Sequence, residues 1–184
     1  MALLTLAEAK DQLNITTDTN DLELQVYIDA LGPVIERYVG PVEIRTVTET
    51  VDSNGLRLAL TQVPALSLTS LTPVLTGGLA IAADEVVLDG DAGVLRRRDG
   101  DAFAGGPWDA VYEAGRDVVS PTINLAARML LQHLWRTQLA PARGGLAGGS
   151  SDYSVSDPIP GFGYAVPNRV LQLLEPYKQP PGVA

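Results

Sequence analysis

Two helices are predicted in the first 41 residues from the spacing of apolar positions. Thr5 and Glu8 have the spacing of a capping box, in which each side chain accepts a hydrogen bond from a backbone N–H group, so a short helix should run to about Leu13. A second helix should begin at Asn20 and end at Gly40, because apolar residues recur at every third or fourth position. Its predicted apolar face consists of Leu24, Tyr27, Ile28, Leu31, Ile35 and Tyr38, widened by Leu22 and Val26.

A proline interrupts the pattern of the second helix. Pro33 has no N–H group to donate to the carbonyl of Asp29, and a proline inside a helix commonly bends or ends it. The sequence therefore predicts a kink or a break at Gly32-Pro33.

The period changes after residue 41, and residues 42–118 are predicted to form a β-rich insert. Asn54-Gly55 is a strong hairpin signal, and Leu56, Leu58 and Leu60 alternate with other residues as in a half-buried strand. Glycine and aspartate punctuate the remainder of the insert. Short strands at this spacing indicate a small antiparallel sheet or a sandwich. Further strands are predicted at Leu66–Leu71, Glu85–Leu88, Val94–Arg97 and Trp108–Glu113.

A long helix is predicted from Pro121 to about Gln138, with Ser120 as its N-cap. One narrow polar stripe recurs every four residues, and most of the remaining circumference is apolar, whereas a surface helix usually buries a single stripe. Either this helix is central in the chain, or neighbouring subunits cover part of it. The stripe comprises Asn124, Arg128, Gln132 and Arg136, and the apolar remainder includes Ile123, Leu125, Ala126, Ala127, Met129, Leu130, Leu131, Leu134 and Trp135.

The chain is therefore predicted to be an α+β protein, a small helical bundle with an inserted antiparallel β-rich subdomain and a flexible C-terminal segment. The glycine- and serine-rich residues 140–166 cannot form a core and are predicted to be a flexible loop. A short helix should begin at Pro167 and end at Pro176, followed by an extended tail. The predicted segments are 1–41 (helices), 42–118 (insert), 119–139 (central helix), 140–166 (loop) and 167–184 (helix and tail).

Composition excludes several classes of function. The chain has no cysteine, so disulfides, thiolate metal sites and thiol catalysis are excluded, and no apolar run approaches the roughly 18 residues of a membrane span, so we expect no membrane contact. The net charge of −9 divides into −6 for residues 1–44, −5 for 45–119 and +2 for 120–184. An acidic body opposes the wrapping of nucleic acid, and the mildly basic C-terminal third suits an acidic partner, although ordinary solubility charge is the simpler interpretation.

No constellation of catalytic residues is found, so we expect no enzymatic activity, no cofactor and no metal. His133 is the only histidine, and neither a nucleophile elbow nor a histidine metal site accompanies it. Asp89-Gly90-Asp91 lacks the further ligands of a calcium loop and is better interpreted as a tight turn. The one basic cluster, Arg96, Arg97 and Arg98, either balances nearby aspartates or contacts an acidic partner or DNA phosphate.

Four stretches of the chain, in this order, resemble the head–tail connector, or adaptor, proteins of long-tailed bacteriophages. None is a catalytic signature, and their order and spacing together carry the resemblance, which covers nearly the whole chain. The stretches are Leu4–Lys10, then Asp21–Gln25 with Ile35–Gly40, then Val119–Pro121 with Ala126–Trp135, and finally Gly163–Tyr177.

The resemblance implies a head-completion protein of the virion that forms a twelvefold homo-oligomeric ring beneath the phage portal and is assembled in the cytoplasm of the bacterial host. The ring would extend the DNA channel, touch the passing DNA transiently, and receive the next head-completion or tail protein. We expect the central helix to pack subunits through Ile123, Ala127, Leu130, Leu131, Leu134 and Trp135. The C-terminal segment is expected to bind the portal through Val170, Leu174, Tyr177 and Lys178, and the arginine run to provide a contact surface on the insert.

The alternative is a ligand- or surface-binding module without catalysis, in which the β-rich insert is a sandwich. Trp108, Tyr112 and Phe103 would then form a stacking platform for a carbohydrate. Packing of the same aromatic residues in the core of a small sheet is the simpler interpretation.

Overall fold

A computed structural model describes residues 3–142 and 166–179, and within these residues it contains four α-helices and seven β-strands. This confirms the predicted α+β class. The helices are α1 (Leu6–Leu13), α2 (Asp21–Val39), α3 (Pro121–Ala142) and α4 (Asn168–Leu174), with 3₁₀ turns at Ala83–Glu85 and Glu175–Tyr177. The strands are β1 (Arg45–Val51), β2 (Ser53–Asn54), β3 (Arg57–Ala59), β4 (Ala65–Pro73), β5 (Val86–Asp89), β6 (Val94–Arg97) and β7 (Trp108–Ala114).

The chain divides into two compact units. Among the described residues, the β unit comprises Gly40–Val118 and Gln179, and the helical unit comprises residues 3–39, 119–142 and 166–178. Residues 143–165 of the predicted flexible loop and residues 180–184 of the predicted tail lie outside the described residues.

In the helical unit, both predicted N-terminal helices form, and α1 begins with the predicted capping box. The N–H of Glu8 donates to the Thr5 hydroxyl (3.3 Å), and the N–H of Thr5 donates to the Glu8 carboxylate (2.9 Å). Helix α2 runs unbroken through Gly32 and Pro33, so of the predicted kink or break the break does not occur. Proline strains a helix partly through contact of its ring with the Cβ of the preceding residue, and Gly32 has no Cβ.

The β unit is built from two antiparallel sheets that share one hydrophobic core. The first has the strand order β1-β7-β4, and the second has the order β2-β3-β6-β5. Along β7 every second side chain is buried, which is the period expected of a strand with one face on the core. Core residues come from both sheets, including Leu58, Leu71, Leu95, Trp108 and Tyr112.

The predicted strands agree with the observed ones to within about two residues at each end, and β6 agrees at both ends. Leu58 and Leu60 are buried as the alternation predicts, whereas Leu56 is exposed because it lies in the tight turn between β2 and β3. Helix α3 continues to Ala142, so the first residues of the predicted loop are helical.

Candidate assembly surfaces

The apolar residues of α3 are buried within a single chain. Five of the six residues expected to pack subunits, Ile123, Ala127, Leu130, Leu131 and Trp135, are buried, and Leu134 is half-buried. The ring of Trp135 meets that of Tyr27 on α2 edge to face, with centroids 5.7 Å apart. The first of the two alternatives, a helix central to the chain, therefore accounts for the apolar excess. Subunit packing through these residues stays a prediction, and the large number of apolar residues on α3 no longer supports it.

The polar stripe of α3 holds α1 in place. Arg128 donates from Nη2 to Glu8 Oε1 (2.6 Å) and from Nε to the side-chain oxygen of Asn124 (2.7 Å), and Asn124 donates to the backbone carbonyl of Leu3 (3.0 Å). One turn further, the Gln12 amide donates to Gln132 (3.3 Å). Glu8 thus serves the capping box and an ion pair at once. The four-residue period of the stripe indicates a polar side of α3, but the period does not show that α1 is the helix it contacts.

The pKa of Glu8 is lowered because the N–H of Thr5 donates to its carboxylate, and the Thr5 hydroxyl and Arg128 lower it further against a smaller opposing effect of burial. A carboxyl group whose pKa is lower in the folded chain stabilises the fold above its ordinary pKa of about 4.5, and this stabilisation is lost as the pH falls through the folded value. We expect Glu8→Gln to reduce the free energy of unfolding by about 1 kcal/mol at pH 7. The difference from wild type should shrink to a few tenths at pH 3, as measured by urea unfolding at both values.

Asp11→Asn is the matched control, since Asp11 is exposed on the same helix and the change also removes one acid. Asp11→Asn should change the free energy of unfolding little at either pH. An equal loss from Glu8→Gln at pH 7 and pH 3 would contradict the role assigned to the Glu8 carboxylate.

The four residues expected to bind the portal separate into two groups. Val170 and Leu174 are buried on α4, so they hold this helix in the helical unit. Tyr177 is half-buried and its hydroxyl is 2.7 Å from that of Ser120, at the start of α3. Lys178 is exposed, 3.6 Å from Glu175 in an ion pair. A small cavity of about 110 Å³ lies beside it, lined by Tyr38, Leu171, Leu174, Glu175 and Lys178.

The arginine run lies at the end of β6, and its three members have different surroundings. Arg97 forms an ion pair with Asp99, and Arg98 donates to the backbone carbonyl of Asp84 (2.7 Å). Arg96 is exposed and forms no ion pair with any residue that the structure describes. The expectation that these arginines balance nearby aspartates therefore holds for Arg97 alone.

A second unpaired arginine faces Arg96. The register of β3 against β6 pairs Leu58 with Leu95, so Arg57 and Arg96 stand opposite each other one position further along. Arg57 is also exposed, and like Arg96 it is in no ion pair within the described part of the chain. Like charges directly opposite on neighbouring strands destabilise a sheet. The two residues line a groove of about 240 Å³, here called the arginine groove, together with Leu56, Arg97, Gly100 and Asp101.

The structure corrects the predicted apolar face of α2. Leu22 is 88% exposed and Val26 is 67% exposed, so both point away from the buried face that contains Leu24, Ile28 and Leu31. Helical geometry places residues four apart on one side, and Ala30 continues the exposed row after Val26. Two carboxylates, Glu23 and Asp29, are exposed beside it. We call Leu22, Glu23, Val26, Asp29 and Ala30 the α2 outer face.

The aromatic residues that could have formed a carbohydrate platform are buried. Phe103, Trp108 and Tyr112 belong to the core of the β unit, and the rings of Phe103 and Trp108 meet edge to face. The Tyr112 hydroxyl donates to Glu49 (2.8 Å) and accepts from the N–H of Gln62 (3.1 Å), and burial raises the pKa of Tyr112. These side chains have no face free for a ligand, so the platform is wrong and the core interpretation is correct.

Neither a metal site nor a membrane helix is found in residues 3–142 and 166–179. No group of three or more histidine or acidic side chains in these ranges is placed to hold a metal ion. None of the helices there combines the length and the apolar character required to cross a bilayer. His133 is half-buried on α3, and burial lowers its pKa.

Comparison of the fold with solved structures gives a consistent result over almost the whole chain. A chain from the neck of an empty GTA particle, computed with C6 symmetry, aligns with 99% of this chain and 92% of its own length, with a TM-score of 0.66 and 19% identity. A chain from the neck of the native GTA particle, computed with C12 symmetry, aligns with 97% of this chain and 90% of its own length, with a TM-score of 0.62 and 19% identity. The protein has the fold of these neck chains.

A third structure, the virion of the native gene transfer agent particle, contains a chain that aligns with 99% of this one at a TM-score of 0.55 and 17% identity. No family model matches the sequence, and no curated protein matches it. The shared fold includes the β-rich insert, because the alignments cover nearly all of both chains. It agrees with the resemblance to head–tail connector proteins that the sequence shows.

Proposed function

We propose that this protein is a structural subunit of a virion neck and that it forms a homo-oligomeric ring between the portal and the tail. The observation that carries the proposal is the match to neck chains over 99% of this chain and 92% of one neighbour. A match of that extent includes both the β unit and the helical unit. The proposed localisation is therefore the head–tail interface of a virion.

The net charge of the chain also supports this proposal. The acidic body suits a ring that surrounds a DNA channel, because a net charge of −9 repels phosphate and lets DNA pass with only transient contact. The twelvefold symmetry proposed for the ring is that used to compute the neck of the native particle.

We propose that the portal is contacted by the exposed residues of the C-terminal segment and that the opposite side of the ring receives the next head-completion or tail protein. Lys178 and Arg169 are exposed at the end of the helical unit. They are the cations that an acidic portal surface would meet. Val170 and Leu174 would act indirectly, because they fix α4 in the position from which these cations project.

The ring is tested by native mass spectrometry and negative-stain imaging of the purified full chain, alone and mixed with the portal of the same particle. We expect closed rings, at least in the presence of the portal, and weaker portal binding by Lys178→Glu. Arg136→Glu, the same charge reversal at an exposed position of α3, serves as the control and should bind normally. A wild-type chain that stays monomeric and does not bind the portal would contradict the proposed function.

A further inference from the structure

Two exposed surfaces among the described residues, the arginine groove and the α2 outer face, are complementary in charge. The arginine groove carries the exposed Leu56, one carboxylate from Asp101 and two arginines that form no ion pair with any described residue. The α2 outer face carries exposed carboxylates flanking the exposed apolar pair Leu22 and Val26. One surface is basic and apolar, and the other is acidic and apolar.

We propose that the arginine groove of one copy receives the α2 outer face of the next copy, and that this contact closes the ring. The inference rests on the proposed function, because it identifies the surfaces through which ring subunits would meet. The occupant of the groove is a second copy of this chain, and it is recognised by opposite charge around a small apolar centre.

Charge distribution supports this pairing. Helix α2 holds four acidic residues and one basic residue, and residues 2–39 hold seven and two. The β unit is also acidic, but four of the six basic residues in 40–118 are Arg57 and the run 96–98. The groove is thus a basic site on an acidic protein, and an acidic helix is the partner for which the local charge is matched.

The position of Arg57 opposite Arg96 also calls for an anionic occupant. Cross-strand neighbours lie roughly 5 Å apart at Cβ, so one anionic partner can reach both guanidinium groups, whose repulsion is screened while they are exposed and grows when a contact excludes water. Carboxylates from a neighbouring copy would offset that repulsion, and Glu23 and Asp29 offer them from the two edges of the α2 outer face, about 120° apart around the helix. Arginine presents a planar fork that binds carboxylates with two hydrogen bonds, which makes such contacts directional.

The dimensions allow the apolar part of the contact. The groove has a volume of about 240 Å³. That is room for the tips of Leu22 and Val26 but not for a helix, so α2 would lie across the mouth of the groove. Leu56 would then lose much of the exposure that it has in the single chain.

A contact between two different patches explains a ring rather than a pair. When one patch binds its own counterpart, a twofold dimer results and no further subunit can add. When a patch binds a different patch on the next copy, every subunit keeps one free surface, and the subunits close into a ring when the rotation between neighbouring copies divides a full turn. The arginine groove lies in the β unit and the α2 outer face lies in the helical unit, so the proposed contact is of the second kind.

Charge reversal on the full chain tests this proposal. Arg57→Glu/Arg96→Glu should weaken ring assembly about tenfold or more, and Glu23→Arg/Asp29→Arg should do the same. The chain that carries all four changes restores opposite charges across the contact and should assemble within a few-fold of wild type. Arg45→Glu, which reverses an exposed arginine on the first sheet, is the matched control. Assembly is measured by analytical ultracentrifugation and negative-stain imaging, and melting curves confirm that each variant is folded.

The outcomes separate this inference from the proposed function. Normal rings from both double variants would overturn the inference and leave the neck function intact. Loss of assembly without rescue in the fourfold variant would also overturn the charge pairing. No rings from the wild type, with or without portal, would overturn both proposals. If Arg57→Glu/Arg96→Glu forms rings but loses binding to duplex DNA in a gel-shift assay, the groove contacts DNA phosphate instead.

Discussion

Leu131→Glu should leave the chain unable to fold. Leu131 is fully buried on α3, and the nearest arginine on that helix, Arg128, is already paired with Glu8. Burying an unpaired charge costs several kcal/mol, so we expect a loss of about 5 kcal/mol or more from a total that is typically about 5–15 kcal/mol. Circular dichroism and urea unfolding of the purified variant measure the effect.

Leu125→Glu is the matched control because it introduces the same charge on the same helix, where Leu125 is 45% exposed. It should change the free energy of unfolding by no more than about 0.5 kcal/mol. If Leu131→Glu is not obtained as folded protein, Leu131→Ala keeps the test quantitative, with an expected cost of about 2–5 kcal/mol for the cavity that it leaves. If Leu131→Glu and Leu131→Ala both kept the melting temperature of the wild type, Leu131 would not be buried.

Features that depend on neighbouring residues were predictable from the sequence. The capping box of Thr5 and Glu8 needs only four residues, and it forms as predicted. The strand β6 was predicted at both ends because alternation and the flanking turns are local signals. Gly32 before Pro33 is also a local feature. Predicting a break there counted the hydrogen bond that Pro33 cannot donate, but not the steric contact with a preceding Cβ that Gly32 avoids.

Features that depend on distant pairing were not predictable. Strand β1 pairs with β7, and Val47 lies opposite Tyr112 although more than sixty residues separate them in the chain. Alternation shows that a strand has a buried face, but it does not show which sheet the strand joins or in what order. The division of seven strands into two sheets therefore had to come from the structure.

The functional surfaces were predicted least well, because the sequence does not show whether an apolar residue on a helix is covered by the same chain, by another molecule or by neither. Val170 and Leu174 are covered within the chain, whereas Leu22 and Val26 are not. All four occur at helical spacing among polar residues. The arginine run was found from its sequence, but Arg57, which lines the arginine groove with Arg96 and Arg97, comes from another strand.

Gly40→Ala should destabilise the β unit by about 3 kcal/mol, which lowers the melting temperature by roughly 6–12 °C for a chain of this length. Gly40 has a φ of +76°, in the left-handed region that costs an alanine about 1 kcal/mol or more. A Cβ at this position would also overlap the backbone carbonyl of Val63 and the side-chain amide of Gln179. The Gln179 amide donates to that same carbonyl, so the glycine allows three segments of the unit to meet.

Gly100→Ala separates the two costs, because Gly100 has a similar φ of +81° and nothing lies within 4 Å of the Cβ that would be added. It should lower the melting temperature by only about 2–4 °C, the effect of backbone strain alone. Gln179→Ala combined with Gly40→Ala removes the flexible obstacle and leaves the Val63 carbonyl, so we expect the double variant to recover little. Equal shifts for Gly40→Ala and Gly100→Ala, measured by differential scanning calorimetry, would mean that backbone strain accounts for the whole loss and that the Val63 carbonyl moves aside without cost.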